Sequence, residues 1–505
     1  MNNIPNPATG GNPAVPAIVE ITVEALKAYA TKLPADEPAR SEMIRAIAVS
    51  AGTLGPIERD SVLSYLKNVT GIPMGALRAE AALGRKGQEP DHLELARATL
   101  AEIGAGNVIY AEGALWLWSG KGVWSISDDK ALKQKVQATI AAADHTVTAS
   151  RVNGVADVLR NEIYQPEHEF NRGAPDTVNC LNGELELTAN GWALRPHCRE
   201  NYRTTQIPVA YDPTAHAPHF WQFLHDVFRD DPDRDAKICV VLELIGCTLM
   251  SHARHEKFVL LKGKGANGKS VLLRVIEALA GKANVAAVKP SQFDNKFQRA
   301  HLHMKLANIV TELPEGKLIA DDELKAITSG ELTTVEQKNC DPFDMRAFAT
   351  CWFGTNHMPH TRDFSDGLFR RAVILEFNRT FAVSEQDANL ADKLIAELPG
   401  ILNYALVSYA NALTNGFTVP PSSEAAKTKW RAEADQVRQF VDERCVCDPM
   451  ERVAVDALYD AFRTWAVQSG IRQIVSKRAM GDRLENLGFG RQQSSGRWIT
   501  GLRMA

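Results

Sequence analysis

The sequence predicts an α/β protein, and three observations predict it. Between Phe220 and Phe377, short apolar runs of strand length alternate with helically spaced segments. One strand-to-helix junction, "FVLLKGKGANGKSVLLRV" from Phe258 to Val275, encloses a glycine-rich turn. The stretches on either side change character: helical and then alternating before it, and a helix, helix, two-strand order after it.

At 505 residues the chain predicts two to four domains, and 45% hydrophobic with 23% charged residues is ordinary globular composition. The net charge of −4 excludes a global basic field, so any nucleic-acid contact has to be local. Eight cysteines without a C-x-x-C pair or a secretion signal read as reduced thiols of a cytoplasmic protein. Cys445 and Cys447 lack a second pair at zinc spacing. The longest apolar run, "ICVVLELIGCTLM", contains Glu243 and is too short for a bilayer, so no membrane is expected.

Along the chain, residues 1–17 are rich in Pro, Gly and Asn and predict a disordered lead-in. Residues 18–90 show helical spacing broken at Pro34, Pro56 and Pro73, followed by the linker-like "GRKGQEPDHLE". Residues 91–215 alternate apolar and polar positions with Gly punctuation and predict small antiparallel strands. Within them Trp116, Trp118 and Trp124 at strand spacing are expected in the core rather than stacked on bases. Residues 216–385 hold the α/β core with its preceding helices, 386–450 a helical connector, and 451–505 a small terminal module.

The turn after Phe258–Leu261 fits G-x-x-x-x-G-K-[ST] through Gly263, Gly268, Lys269 and Ser270, with Gly265, Asn267 and Val271 in the same seat. Glycines let successive N–H groups point inward, and the following helix adds its positive end, which together make a seat for phosphate oxygens. Lys269 then reaches the β/γ-phosphates of a nucleotide, and Ser270 holds Mg²⁺. A second strand in "KLANIVTELPEG" ends in Thr311-Glu312, where Glu312 is placed to polarise water and to join the metal site. Thr311 replaces the usual Asp, leaving Asp321 or Asp322 as weaker substitutes. A third strand, "AFATCWFGTN", ends in Asn356, suited to the γ-phosphate or the lytic water.

Between these strands Leu332–Glu336 and Phe343–Phe348 are expected to pair as a hairpin with Lys338 at its tip, a finger for a phosphate backbone. After them "DFSDGLFRRAVILEF" places Arg370 and Arg371 before an apolar strand. One of the two, by preference Arg371, is expected to reach a nucleotide on a neighbouring subunit rather than form an intrachain salt bridge. The terminal segment reads as a winged-helix outline: helix Val455–Gln468, a turn at Gly470, a helix opened by Ser476, then two short strands. From Ile471 onward Arg472, Lys477, Arg478, Arg483, Arg491, Arg497 and Arg503 face only Asp482 and Glu485, a local charge suited to DNA.

In order and spacing, "GKGANGKS", "VTE", "SGELTTVEQK", "GTNHMP" and "GLFRRAVILEFNRTF" resemble the superfamily-three helicases. More narrowly they are similar to the phage- and plasmid-type primase C-terminal helicases related to poxvirus primase-helicase. "NCLNGELEL", "NYRTTQIPVAYDPTA" and "FWQFLHDVF" extend the likeness over roughly 93–505. The resemblance implies an AAA+-like ATPase core, a hexameric ring, ATP hydrolysis with Mg²⁺ and 3′→5′ translocation on single-stranded or forked DNA. It carries Lys269, Ser270, Glu312, Asn356, Lys338 and Arg371 into the roles given above. It also implies a replicative helicase of a phage, plasmid or integrated element in a bacterial host cytoplasm. The alternatives are a DNA translocase without strong unwinding and an origin-binding initiator ATPase. Residues 1–90 show no Asp-x-Asp strand pair, so primer synthesis is expected only from a separate primase or polymerase partner.

Overall fold

The computed structural model describes residues 18–505 except 87–90, 144, 339–340, 362, 364, 470 and 472–473. The expected lead-in, the centre of the expected linker, Gly470 and Arg472 lie outside the described residues. The chain divides into two compact units: one takes in residues up to Tyr110 together with Ser127–Tyr164, the other Ala111–Ile126 together with Gln165–Ala505. No described helix is long and apolar enough to cross a membrane.

The first unit is helical. Its initial helices, Val23–Thr31, Glu37–Ala51, Pro56–Thr70 and Met74–Lys86, bury Leu26, Met43, Ile47, Leu63, Leu66 and Leu77 in one core. The prolines expected to break helices also start them: Pro56 takes the first helical position, where its missing N–H costs nothing. Thr22 and Asp36 cap the first two helices by accepting from Ala25 N and Ala39 N, each at 3.2 Å. Three further helices, His92–Ile103, Asp129–Ala142 and Ala149–Glu162, pack together through Leu95, Leu132, Val136, Val155 and Leu159. The expected separate region over 91–215 therefore differs from the observed division. Leu132, Val136 and Ile140 recur at helical spacing inside a stretch dominated by strand-like alternation.

In the second unit the alternating patches form small antiparallel sheets. Ala114–Trp118 pairs with Trp124–Ile126, and Thr177–Cys180, Gly183–Thr188 and Gly191–Arg195 form a meander. Trp116 and Trp124 are buried, and Trp124 Nε1 donates to the Arg199 carbonyl at 3.0 Å.

The centre of this unit is a parallel five-stranded sheet with the spatial order Ala372–Glu376, Phe258–Lys262, Thr350–Thr355, Ala307–Val310, Val285–Ala286. The fold is thus mixed α/β. Side chains alternate between two cores across the pleat: Val259, Leu261 and Trp352 enter one, while Phe258, Leu260, Cys351 and Phe353 enter the other. Burial on both faces explains why these strands read as continuous apolar runs. Helices Arg234–Thr248, Lys269–Ala280 and Leu398–Asn415 contribute to the first core. Within Arg234–Thr248 even Lys237 is fully buried, held by Asp231 at 2.9 Å.

The terminal module begins earlier than expected. Helix Gln436–Arg444 and strand Cys445–Ala454 join helices Val455–Gln468 and Lys477–Asn486 and strands Gly490–Gln493 and Arg497–Met504. Arg497–Met504 lies in the middle of the antiparallel sheet, and Val437, Phe440, Phe462, Trp465, Ile499 and Leu502 share one core. Ser476 caps its helix by accepting from Ala479 N at 3.2 Å.

Candidate functional site

In a parallel sheet all carboxyl ends open on one edge, the usual place for a ligand. Here the Phe258, Thr350 and Ala307 strands are adjacent, so the segments that follow them meet. Gly263 N donates to the Thr355 carbonyl at 3.1 Å, and Leu313 N to the Gly354 carbonyl at 2.9 Å. Those two bonds tie the glycine-rich turn and the Glu312 segment to the strand between them. Asn356 Nδ2 then donates to Glu312 Oε1 at 3.1 Å.

The turn itself passes through the left-handed region at Gly265, Ala266 and Gly268, with φ of 104°, 46° and 89°. At Gly268 a Cβ would also come within 2.8 Å of Val227 Cγ2, because helix Pro218–Val227 packs against the turn. Lys269 opens the helix Lys269–Ala280 and is buried. Its ammonium donates to the Gly263 carbonyl and, at 3.1 Å, to Asn267 Oδ1. Burial pulls the Lys269 pKa down while the nearby Glu312 carboxylate pushes it up, so the two groups share one electrostatic environment. Ser270 is exposed in the first helical turn and Val271 is half-buried.

This donor set fits a polyphosphate with a divalent cation: a buried ammonium satisfied only by neutral oxygens, an exposed hydroxyl, and a carboxylate facing them. Asp321 instead accepts from Thr361 Oγ1 at 2.5 Å, and Asp322 pairs with Lys325 at 2.9 Å. Beyond Glu312 a cavity of about 380 Å³ is walled by Lys289, Glu312, Glu315, Asn356 and His357, among others. Sequence reasoning missed Lys289. The signal for Lys289 was indirect: Asn308, a polar residue in an otherwise apolar strand, is fully buried and locks the preceding residue. Asn308 Nδ2 donates to the Val288 carbonyl at 2.9 Å, and Val288 N donates back to Asn308 Oδ1 at 2.8 Å.

The arginine pair lies at the opposite, amino edge of the sheet, since Ala372 pairs with Phe258 at the start of both strands. Arg371 is 7% exposed, 2.7 Å from Glu256, and donates to Ser329 Oγ at 2.6 Å and the Gly367 carbonyl at 2.5 Å. Its guanidinium is thus committed within its own chain, the intrachain alternative to the expected role. Arg370 is 64% exposed and 3.3 Å from the same carboxylate.

The expected hairpin pairs Leu332 with Arg346 and Val335 with Phe343, and Lys338 is exposed near its tip. In the terminal module three of the predicted DNA contacts are engaged by acids. Lys477 pairs with Asp456; Arg483 Nε donates to Asp435 at 2.8 Å; Arg491 meets Asp482 at 2.9 Å and Glu485 at 3.0 Å. Arg478, 92% exposed, and the exposed Arg497 keep their charge toward solvent.

Residues 96–229 match the family described as D5 N terminal like, and residues 261–371 match a family of unknown function, DUF5906. Putative helicase 121R of Invertebrate iridescent virus 3 is 21% identical over 319 residues, covering 55% of this chain and 33% of that protein. Putative helicase 184R of Invertebrate iridescent virus 6 is 25% identical over 228 residues, covering 42% of this chain and 23% of that protein. The chain therefore spans a third or less of these curated relatives. Among solved structures, the NrS-1 C-terminal region matches at 14% identity and a TM-score of 0.44, covering 83% of this chain and 100% of that one. The D5 N-terminal-like segment lies ahead of the glycine-rich turn, and with the helicase-named viral relatives it makes the chain similar to D5-like primase-helicases.

Proposed function

We propose that the chain is an ATP-driven DNA helicase of replication, acting as a ring that moves 3′→5′ on single-stranded DNA. The observation that carries this reading is the convergence of Lys269, Glu312 and Asn356 on one sheet edge from three adjacent parallel strands. That arrangement answers the needs of phosphoryl transfer to water: a cation for the transferring phosphate, a carboxylate for the nucleophile, and an amide to hold that carboxylate. Mg²⁺, bound through Ser270 and Glu312, would supply charge neutralisation of the phosphates. The sheet with its turn then serves as an AAA+-like phosphate-loop core, and the terminal module and the Lys338 hairpin each serve as a DNA contact, the module as a winged-helix-like one.

In this reading Arg370 rather than Arg371 is the residue offered to a neighbour. The strand Ala372–Glu376 has five residues, so the arginines stand about 16 Å from the carboxyl edge of their own sheet. An arginine so placed acts on another copy's nucleotide, and only Arg370 of the two is exposed. The setting we assign is a phage, plasmid or integrated element, with priming left to a separate protein.

Forked DNA carrying a labelled strand tests the reading. ATP-dependent strand displacement, with hydrolysis stimulated by single-stranded DNA, supports it. Stimulated hydrolysis without displacement turns the assignment to a translocase, and slow hydrolysis indifferent to DNA turns it to an initiator.

A further inference from the structure

We propose that Glu256 is the positioning residue for Arg370, and that buried Arg371 is the fixed support of that carboxylate. The inference rests on the reading above, in which Arg370 addresses a nucleotide held by a neighbouring copy. One oxygen, Glu256 Oε2, lies 2.7 Å from Arg371 Nη2 and 3.3 Å from Arg370 Nη2. The two guanidiniums are bridged by a single carboxylate, yet their settings differ completely. Arg371 is held from three sides by Glu256, Ser329 and Gly367, and supplies a charge that does not move. Arg370 touches only Glu256 among the described side chains and keeps its remaining donors free for an oxyanion.

The bridge itself is tightly fixed. Glu256 has φ of 51°, a left-handed conformation that a glutamate adopts only where its surroundings hold it. Those surroundings are anchored on both sides: His255 Nε2 stands 2.8 Å from Tyr409 Oη, and Lys257 Nζ donates to the Arg370 carbonyl at 2.9 Å. Phe258 N donates to the Arg371 carbonyl at 2.9 Å, which sets the register of the whole contact. A long exposed arginine loses much of its value as an electrophile if it samples many rotamers, and an anchored carboxylate restricts it to one side. Removing that carboxylate leaves the guanidinium present but misaimed.

The test is a kinetic cycle on the full chain with Glu256→Gln, Arg370→Ala and the double variant, reading kcat and KM for ATP. Glu256→Gln is expected to lower kcat roughly 10- to 100-fold with KM nearly unchanged. Arg370→Ala should cost on the order of 10³-fold, and the double variant should be no worse than Arg370→Ala alone. Glu256→Asp, which keeps the charge, should recover part of the lost kcat, and it takes the place of Glu256→Gln should that variant fail to fold. Full kcat in Glu256→Gln, or losses that multiply in the double variant, overturn the positioning role while leaving the Arg370 reading intact. Full turnover in Arg370→Ala overturns both.

Discussion

In the proposed function, Lys269 is the residue on which the chemistry turns. Its ammonium is buried, loses pKa to that burial, and is held by oxygen acceptors that a phosphate group would replace. Lys269→Ala is expected to lower ATP turnover by at least about 100-fold, and turnover near that of the natural chain in a steady-state assay would refute the loop assignment. Gly268 makes a sharper demand on the backbone. Its φ of 89° and the 2.8 Å approach of Val227 leave a Cβ neither a conformation nor a space. Gly268→Ala should therefore abolish nucleotide binding, measured by calorimetry, with the Pro218–Val227 helix displaced from the turn. The same change at Gly265, whose added Cβ meets open space, should be milder.

Between residue and domain stands the segment Ser251–Lys257, which fastens the first strand of the sheet to helix Leu398–Asn415 through a polar cluster. Tyr409 Oη donates to Asp176 Oδ1 at 2.6 Å, and Arg254 and His252 pair with the same carboxylate. Although burial pushes the Asp176 carboxyl up, the hydrogen bonds from His252, Tyr409 and Arg254 outweigh it and hold it well below the usual carboxylate range. Burial, with positive charge on His252 and Arg254, lowers the His255 pKa from 6.5 to about 4. The unfolded chain thus takes up a proton near pH 6.5 that the folded chain refuses until about pH 4. Stability from this site is present above that upper value and is lost as pH falls across the window. The thermal midpoint should drop between pH 7 and pH 4.5 or so, and His255→Gln should flatten the drop; an equally steep drop in the variant would place the effect elsewhere.

The sequence made some elements legible and concealed others for physical reasons. Strands Phe258–Lys262, Ala307–Val310, Thr350–Thr355 and Ala372–Glu376 were readable because burial on both faces demands unbroken apolar runs. Val285–Ala286 was not, because two residues carry no pattern. The strand order was hidden as well: only three-dimensional pairing puts the late Ala372 strand beside Phe258. That pairing in turn moves the two arginines to the amino edge, and it is burial, with the bonds to Ser329 and Gly367, that distinguishes Arg371 from Arg370. The terminal helices were legible from Ser476 and helical spacing, whereas Cys445–Ala454 read as connector because its residues are largely exposed. A truncation after Pro449 would split that strand from Arg497–Met504, so the informative truncation ends at Ala434. It should weaken DNA binding and reduce the salt slope by only about three phosphate contacts, because of the described basic residues from Ile471 onward only Arg478, Arg497 and Arg503 are not engaged by acids at close range. A loss of five or more would mean the acid pairs open on DNA.

At the scale of the whole molecule, the sheet sets a distance that one chain cannot close. Lys269, Glu312 and Asn356 gather at one edge, and Arg370 waits at the other, a five-residue strand away. If both ends serve one reaction, each copy completes the site of the next, and the assembly closes only when rotation returns the last copy to the first. Mixing experiments expose this geometry directly. Arg370→Ala copies should bind ATP normally yet spoil the neighbour they face, so adding them to the natural chain should depress hydrolysis faster than dilution does. With equal amounts of each, activity per natural copy should fall to about half or less, because half of the intact sites meet a defective partner and the loss grows if sites fire in sequence. A strictly proportional decline, with each natural copy keeping its full rate, would show that hydrolysis needs nothing from the adjacent chain.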